Sequence, residues 1–113
     1  MHEMSLMESV LEIVEDEARK AGARTVKTVK LSIGELSHVE PEAMAFCFEA
    51  VIRGTLAEGA RLEIERVPGR GWCLDCAETV AISERFGACP KCGGHKVQMT
   101  GGDELRVAEL EVE

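Results

Sequence analysis

The stretch WCLDCAETVAISERFGACPKCGGHK, residues 72–96, contains four of the chain's five cysteines, and they form two C-x2-C pairs. Twelve residues separate Cys73 and Cys76 from Cys89 and Cys92. Two residues between paired cysteines allow a tight turn to aim both sulfurs at one ion, and four thiolates arranged as a tetrahedron select zinc. Because protein sulfur fills every position, the spacing predicts a structural zinc site with no open coordination position.

Two other kinds of site use paired cysteines, namely an iron–sulfur centre and a thioredoxin-like redox pair. A redox pair normally stands alone beside a βαβ pattern, whereas this chain has two pairs and no such pattern. The segment 68–100 also has few large apolar residues, so it is predicted to fold only when a metal is bound. His95, just beyond the second pair, is predicted to be a solvated loop residue and not a ligand.

The sequence before the cysteine-rich segment predicts two helices. Ser5 and Glu8 have the spacing of a capping box, so a first helix is predicted to begin at about Leu6, with residues 1–4 projecting ahead of it. This helix has apolar residues at three- and four-residue spacing: Met7, Val10, Leu11, Val14, Ala18 and Ala21. Pro41 predicts the start of a second helix that ends at about Arg53. Its inward stripe is predicted to hold Met44, Cys47, Phe48 and Val51, with Cys47 packed as a small apolar residue.

Three segments alternate apolar and polar residues as half-buried strands do, namely residues 25–34, 60–67 and 104–113. The apolar phase shifts within the last of these segments, which predicts a β-bulge near Ala108. The predicted fold class is therefore α+β, with a small three-stranded sheet, two helices and an inserted zinc-ribbon-like module.

The pattern also predicts a division into two domains. Residues 1–67 and 101–113 are predicted to form the α+β domain, and residues 68–100 the inserted four-cysteine domain. The insert joins the second predicted strand to the third.

Charge and hydropathy exclude several classes of function. The formal net charge is -8 and the pI is about 4.9, which disfavours nucleic acid as a partner because phosphate binding depends on Lys and Arg. No apolar run is long enough for a membrane span, and the first residues do not resemble a signal peptide, so a cytoplasmic protein is predicted. A metalloenzyme is also disfavoured, because the sequence offers neither an open zinc position nor an evident acid–base pair.

The first three residues, MHE, allow two interpretations. They are either a frayed terminus or a metal-binding hook formed by the Met1 amine, the following peptide nitrogen and the ring nitrogen of His2. Such a hook favours Ni(II) or Cu(II), because deprotonating an amide nitrogen requires an ion near the top of the Irving–Williams order. A fourth donor would come from Glu3, by its backbone or its side chain, or from elsewhere. The three residues alone do not decide between these interpretations.

Four parts of the sequence together resemble the HypA/HybF family of hydrogenase nickel-insertion proteins. They are MHEMSL, residues 1–6; IGELSHVEPEAMAFCFEAV, residues 33–51; the four-cysteine module with CPKCGG, residues 89–94; and GDELRVAELEVE, residues 102–113. The resemblance covers essentially the whole chain, and its most specific parts are the MHE start and the GELSHVEPEA stretch.

The resemblance implies a nickel metallochaperone that is not an enzyme. It implies that His2 binds Ni(II) as cargo and that Cys73, Cys76, Cys89 and Cys92 bind structural Zn(II). The Met1 amine and Glu3 are the further nickel donors that the chelate chemistry described above predicts. It also implies a GTPase of the HypB type and the large subunit of [NiFe] hydrogenase as partners, with urease as a further client in some organisms. A monomer and a homodimer both fit the sequence. The alternative is a zinc-ribbon module that binds protein or nucleic acid.

Overall fold

Two helices and six strands make up the regular structure of residues 2–113, which are the residues that this computed structural model describes. In chain order they are α1 (Glu3–Lys20), β1 (Val26–Gly34), α2 (Pro41–Val51), β2 (Arg61–Val67), β3 (Arg70–Cys73), β4 (Glu78–Ala81), β5 (Val97–Gly101) and β6 (Leu105–Val112). A short 3-10 turn, Glu35–Ser37, lies between β1 and α2. The strands form two three-stranded sheets, ordered β2-β1-β6 and β4-β3-β5.

The first sheet and the two helices confirm the predicted α+β fold with its three strands. The second sheet was not predicted. It pairs β3 with β4 and with β5, both antiparallel, and all three strands have at most five residues. In β6 the half-buried positions are Leu105, Val107, Ala108 and Leu110, so the alternation of exposure changes phase between Val107 and Ala108. The β-bulge near Ala108 stays a prediction.

Both helices bury one apolar stripe, as the periodicity predicted. Met7, Val10, Val14 and Ala18 of α1 are buried, as are Met44, Cys47 and Phe48 of α2. Leu11 and Val51 are half-buried, and Ala21 is exposed. Neither helix, in the described part of the chain, combines the length and apolarity that crossing a membrane requires.

The predicted start of α1 was wrong. The helix begins at Glu3 and not at about Leu6, with His2 as its N-cap residue, and the Leu6 N–H already donates to the His2 carbonyl at 2.8 Å. Ser5 therefore lies inside the helix and no side chain caps it. The physical reason is tertiary: the Glu3 side chain is buried, and a carboxylate in the first turn is favoured by the helix dipole. Residues 2–4 do not project ahead of α1, and Met1 lies outside the described residues.

The described residues divide into two compact units. The helical unit comprises residues 2–32, 39–65 and 106–113, and the cysteine unit comprises residues 33–38 and 66–105. Within the cysteine unit, the buried cluster consists of Leu36, Cys73, Val80, Ile82 and Cys89. The domain boundaries at residues 67/68 and 100/101 remain a prediction.

Backbone hydrogen bonds attach residues 33–38 to the rest of the cysteine unit. The sequence pattern predicts these residues in the α+β domain. The Gly34 N–H donates to the Glu104 carbonyl and the Leu36 N–H to the Gly102 carbonyl, both at 2.7 Å. A Cβ on Gly34 would lie only 2.1 Å from the Gly102 oxygen, so only glycine allows these two segments to approach so closely. Leu36, at the end of this attachment, is 1% exposed.

Candidate metal centres

The four paired cysteines come together at one point of the cysteine unit. The Sγ atoms of Cys73, Cys76, Cys89 and Cys92 all lie within 4.8 Å of one another, and among residues 2–113 they are the one such group of potential ligands. Cys73 and Cys92 are 3.7 Å apart, sulfur to sulfur, and Cys76 and Cys89 are 3.9 Å apart. These separations are far too long for a disulfide bond, and all four residues are free thiols.

Each C-x2-C pair closes in the same kind of turn. The Ala77 N–H donates to the Cys73 carbonyl at 2.8 Å, and the Gly93 N–H donates to the Cys89 carbonyl at the same distance. Both donors have left-handed backbone conformation, with φ of 53° at Ala77 and 74° at Gly93. Glycine adopts this conformation without strain, whereas alanine does so at a cost. The second turn is therefore the less strained of the two.

Backbone N–H groups point at the first sulfur of each pair. The Cys76 N–H donates to Cys73 Sγ at 3.4 Å, and the Lys91 N–H donates to Cys89 Sγ at 3.3 Å. Such donors stabilise the negative charge of a thiolate, which is the form that binds a metal.

The surroundings move the pKa values of two thiols in opposite directions. The hydrogen bond with the Cys92 thiol, followed by burial, raises the pKa of Cys76 to about 12. The backbone N–H of Cys92, which outweighs the opposing effect of burial and is aided by the Lys91 N–H, lowers the pKa of Cys89 to about 7. These surroundings therefore favour the thiolate at Cys89 and disfavour it at Cys76. Because protons compete for these sulfurs, the affinity for metal falls as the pH falls.

The cluster fits a structural zinc ion. A tetrahedron with zinc–sulfur bonds of about 2.3 Å has sulfur–sulfur edges of about 3.8 Å, and the Cys73–Cys92 and Cys76–Cys89 separations lie within 0.1 Å of that value. Four sulfurs complete the coordination and leave no open position for a substrate. The predicted character of the site, structural and not catalytic, agrees with this geometry.

The amino-terminal residues form the second candidate centre. The His2 side chain is exposed at the start of α1. Glu3 is only 6% exposed, and its carboxylate accepts a hydrogen bond from the backbone N–H of Glu40 at 3.3 Å. No local pattern predicts this contact, because residues 3 and 40 are far apart along the chain. The Met1 amine lies outside the described residues.

Cys47, His95 and Glu35 are not members of the four-sulfur group. Cys47 is 7% exposed on the inward stripe of α2, as predicted, and does not belong to the four-sulfur group. His95 is exposed and is not part of that group either. The carboxylate of Glu35 accepts the Gly69 N–H at 3.1 Å within the cysteine unit. Glu35 therefore forms a hydrogen bond to the backbone of its own unit.

Comparison with known proteins places this geometry in a family. The family model described as "Hydrogenase/urease nickel incorporation, metallochaperone, hypA" matches residues 1–112. Two relatives named hydrogenase maturation factor HypA are 63% identical. The one from Rhizobium leguminosarum bv. viciae covers 99% of both chains. The one from Dechloromonas aromatica covers 100% of both.

Solved structures agree with the sequence relatives. The solution structure of the Ni metallochaperone HypA from Helicobacter pylori is 29% identical, with a TM-score of 0.71, and the match covers 99% of this chain and 97% of that one. Another solution structure of a HypA protein is 30% identical, with a TM-score of 0.73, over 100% of this chain and 97% of that one. A free-standing zinc-ribbon module, the alternative interpretation, does not account for matches that include both helices. The chain belongs to the HypA family of hydrogenase/urease nickel-incorporation metallochaperones.

Proposed function

We propose that this chain is a nickel metallochaperone for hydrogenase maturation, which binds Ni(II) at its amino terminus and holds a structural Zn(II) in its cysteine unit. The observation that carries the proposal is the match to the nickel-incorporation family over residues 1–112. The proposed zinc ligands are Cys73, Cys76, Cys89 and Cys92, supported by their mutual distances. The proposed nickel ligands are His2, the Met1 amine and Glu3.

The start of α1 supports the nickel site. The first backbone hydrogen bond of α1 joins the Leu6 N–H to the His2 carbonyl, so the N–H groups of His2 and Glu3 have no acceptor within the helix. A metal that replaces those protons therefore breaks no helical hydrogen bond. The exposed His2 ring is free to turn toward such a metal. Ni(II) suits a tetragonal set of nitrogen donors.

The buried carboxylate of Glu3 favours its backbone nitrogen as the fourth donor. That carboxylate already accepts the Glu40 N–H, and leaving this position would expose a buried contact between the two helices. The backbone nitrogen of Glu3 needs no such rearrangement. We therefore propose that the Met1 amine, the two backbone nitrogens and the His2 ring form the nickel site.

In this function the chain would act through two domains and together with two protein partners. The nickel domain would comprise residues 1–67 and 101–113, and the zinc domain residues 68–100. The partners would be a GTPase of the HypB type and the hydrogenase large subunit, with urease as a second client. A cytoplasmic location suits four thiols that must stay reduced to bind zinc. The role requires binding and release of nickel and no catalysis.

Calorimetric titration with Ni(II) tests the proposal. Three proteins are compared: the tag-free chain, a chain extended ahead of Met1 by residues left from a tag, and His2→Ala. The extension converts the amine into an amide and the substitution removes the ring nitrogen, so each should weaken nickel binding severely while zinc content stays unchanged. Lowering the pH from about 7.5 to about 6 should release nickel from the tag-free chain, because protons compete for the amine and the imidazole.

A matched control is His95→Ala, which removes another exposed histidine away from the amino terminus. It should bind nickel as the tag-free chain does. If the extended chain binds nickel as tightly as the tag-free one, the amino-terminal site is wrong.

A further inference from the structure

A groove lies between the two helices of the helical unit, near the amino terminus. It has a volume of about 620 Å³. Its apolar lining comes from both helices: Met4, Leu11, Ala50 and Val51. Met4 is 42% exposed, and Leu11 and Val51 are half-buried, so apolar surface remains in contact with solvent along the groove. Exposed apolar surface with a polar edge is typical of an interaction site.

One edge of the groove is a row of three glutamates on α1. Glu8, Glu12 and Glu15 follow one another at spacings of four and three residues, so they share one side of the helix. None of the three forms an ion pair with any other residue in the described range 2–113. Elsewhere on α1, Asp16 pairs with Arg19 and Glu17 with Lys20. Among the acidic residues of α1, those on the groove are thus the ones without an ion pair or hydrogen bond.

The charge of the whole unit reinforces that of the groove. The residues of the helical unit include 15 Asp and Glu but only 8 Lys and Arg, whereas the cysteine unit has 6 and 5. An acidic field of this kind repels nucleic acid and anionic lipid, and it attracts a basic protein surface. A second copy of this chain carries the same acidic groove and is disfavoured for that reason.

We propose that this groove binds a basic amphipathic helix of a partner protein. The apolar face of that helix would cover Met4, Leu11 and Val51, and its Lys or Arg residues, spaced four and three apart, would pair with the glutamate row. From Met4 to Glu15 the groove extends about 16 Å along α1, which is the length of about three helical turns. The partner's contacts would be both apolar and charge-complementary, which gives specificity as well as affinity.

The groove lies close to the proposed nickel ligands at the amino terminus. Met4 lies in the first turn of α1, two residues after the N-cap His2, so a partner seated there would lie beside the amino-terminal donors. The role of that partner in nickel transfer rests on the proposed function, whereas the docking itself does not.

The test measures the binding of a fluorescent synthetic peptide by anisotropy. The peptide is an amphipathic helix of about 18 residues with leucines on one face and lysines at the matching spacing, and the control is a shuffled isomer of the same composition. Ala50→Lys places a positive charge in the groove, and Ala45→Lys places the same charge at an exposed position of α2 that does not line it. Ala50→Lys should weaken binding about tenfold and Ala45→Lys less than about twofold.

A second pair of variants removes charge without adding bulk. The triple variant E8Q/E12Q/E15Q should weaken binding about tenfold and make it less sensitive to salt. The triple variant E17Q/E49Q/E63Q loses the same charge from exposed positions outside the groove and should bind nearly as the wild type does. Equal losses in the two members of either pair, or equal binding of the shuffled peptide, would overturn the proposal.

Nickel titration of the same variants separates this inference from the proposed function. The groove variants keep His2 and the amine, so they should bind nickel normally. If the wild type binds the peptide but no nickel, the proposed function fails and the docking site stands. If it binds nickel but not the peptide, the docking site fails alone.

Discussion

The helical unit and the cysteine unit are built on different kinds of core. In the helical unit, the buried residues are mostly large and apolar, with Met7, Val14, Leu31, Met44 and Phe48 all at most 2% exposed. The cysteine unit buries a five-residue cluster in which two members are cysteines. Four of its other large apolar side chains remain on the surface: Trp72, Leu74, Phe86 and Met99 are between 37% and 93% exposed.

This difference indicates what holds each unit together. Burial of a large apolar side chain contributes about 1.5–3 kcal/mol, so the helical unit has several such contributions. The cysteine unit has only Leu36, Val80 and Ile82 as fully apolar members of its cluster. A structural zinc ion contributes about 10–16 kcal/mol of apparent binding energy and is the dominant stabilising interaction available to this unit. The helical unit should therefore fold without metal, and the cysteine unit should not.

The largest expected effect is that of losing zinc. Chelation of zinc, or Cys73→Ser, should unfold the cysteine unit and leave the helical unit folded, because only the former depends on metal. Hydrogen exchange of each amide, measured before and after chelation, distinguishes the two units. Ser32→Ala, a small change within the helical unit, is a control that should retain zinc. Simultaneous loss of protection in both units would contradict the comparison.

A pair of leucine substitutions gives the next largest effect. Leu36→Ala should destabilise the cysteine unit by about 2–5 kcal/mol, because Leu36 is 1% exposed within its small cluster. Leu31→Ala, five residues earlier and 0% exposed, should destabilise the helical unit by a similar amount. Denaturant titration followed by amide exchange shows which unit each variant affects. If Leu36→Ala leaves zinc affinity unchanged, Leu36 does not support the cysteine unit.

Removal of the unpaired cysteine should have a smaller effect. Cys47→Ala should lower the free energy of unfolding by about 1 kcal/mol, because it removes one sulfur from a packed position. Zinc and nickel stoichiometry, measured by metal analysis, should both be unchanged. Cys76→Ala, in contrast, should lose zinc. Loss of either metal in Cys47→Ala would show that Cys47 is more than a packing residue.

The smallest effect compares the two turns that follow the cysteine pairs. Gly93→Ala should weaken the cysteine unit by about 1–2 kcal/mol, because its φ of 74° is unfavourable for a residue with a Cβ. No atom lies within 4 Å of that Cβ position, so the cost is conformational and not steric. Ala77→Gly, at φ 53°, should stabilise the unit by up to about 1 kcal/mol. Zinc-competition titrations of both variants should shift in opposite directions, and shifts of the same sign would refute this explanation.

The sequence predicted those features that depend on local pattern. The two helical stripes, the three strands of the first sheet and the meeting of four cysteines all follow from spacing along the chain. The start of α1 was wrong because the local capping signal of Ser5 and Glu8 was overridden by the burial of Glu3 against the backbone of Glu40. Such a contact between distant segments leaves no trace in a local pattern.

The second sheet and the burial of Leu36, both in the cysteine unit, could not be predicted because neither produces a local pattern in the sequence. The strands β3, β4 and β5 are too short and too exposed to produce a clear alternation of apolar residues. Leu36 is out of phase with Leu31 and Ile33 of β1, and it is buried against residues more than thirty positions later. Spacing along the chain did not predict the nickel ligands either. Their assignment rests on family resemblance, and the Met1 amine lies outside the described residues.

X-ray absorption at the nickel and zinc edges of one sample, the tag-free chain loaded with one Ni(II), tests the central claim most directly. The two metals should bind to two separate sets of ligands. The zinc spectrum should show four sulfur neighbours at about 2.3 Å, and the nickel spectrum should show nitrogen or oxygen neighbours with imidazole scattering and no sulfur. Sulfur bound to nickel, or zinc with fewer than four sulfur neighbours, would contradict the account.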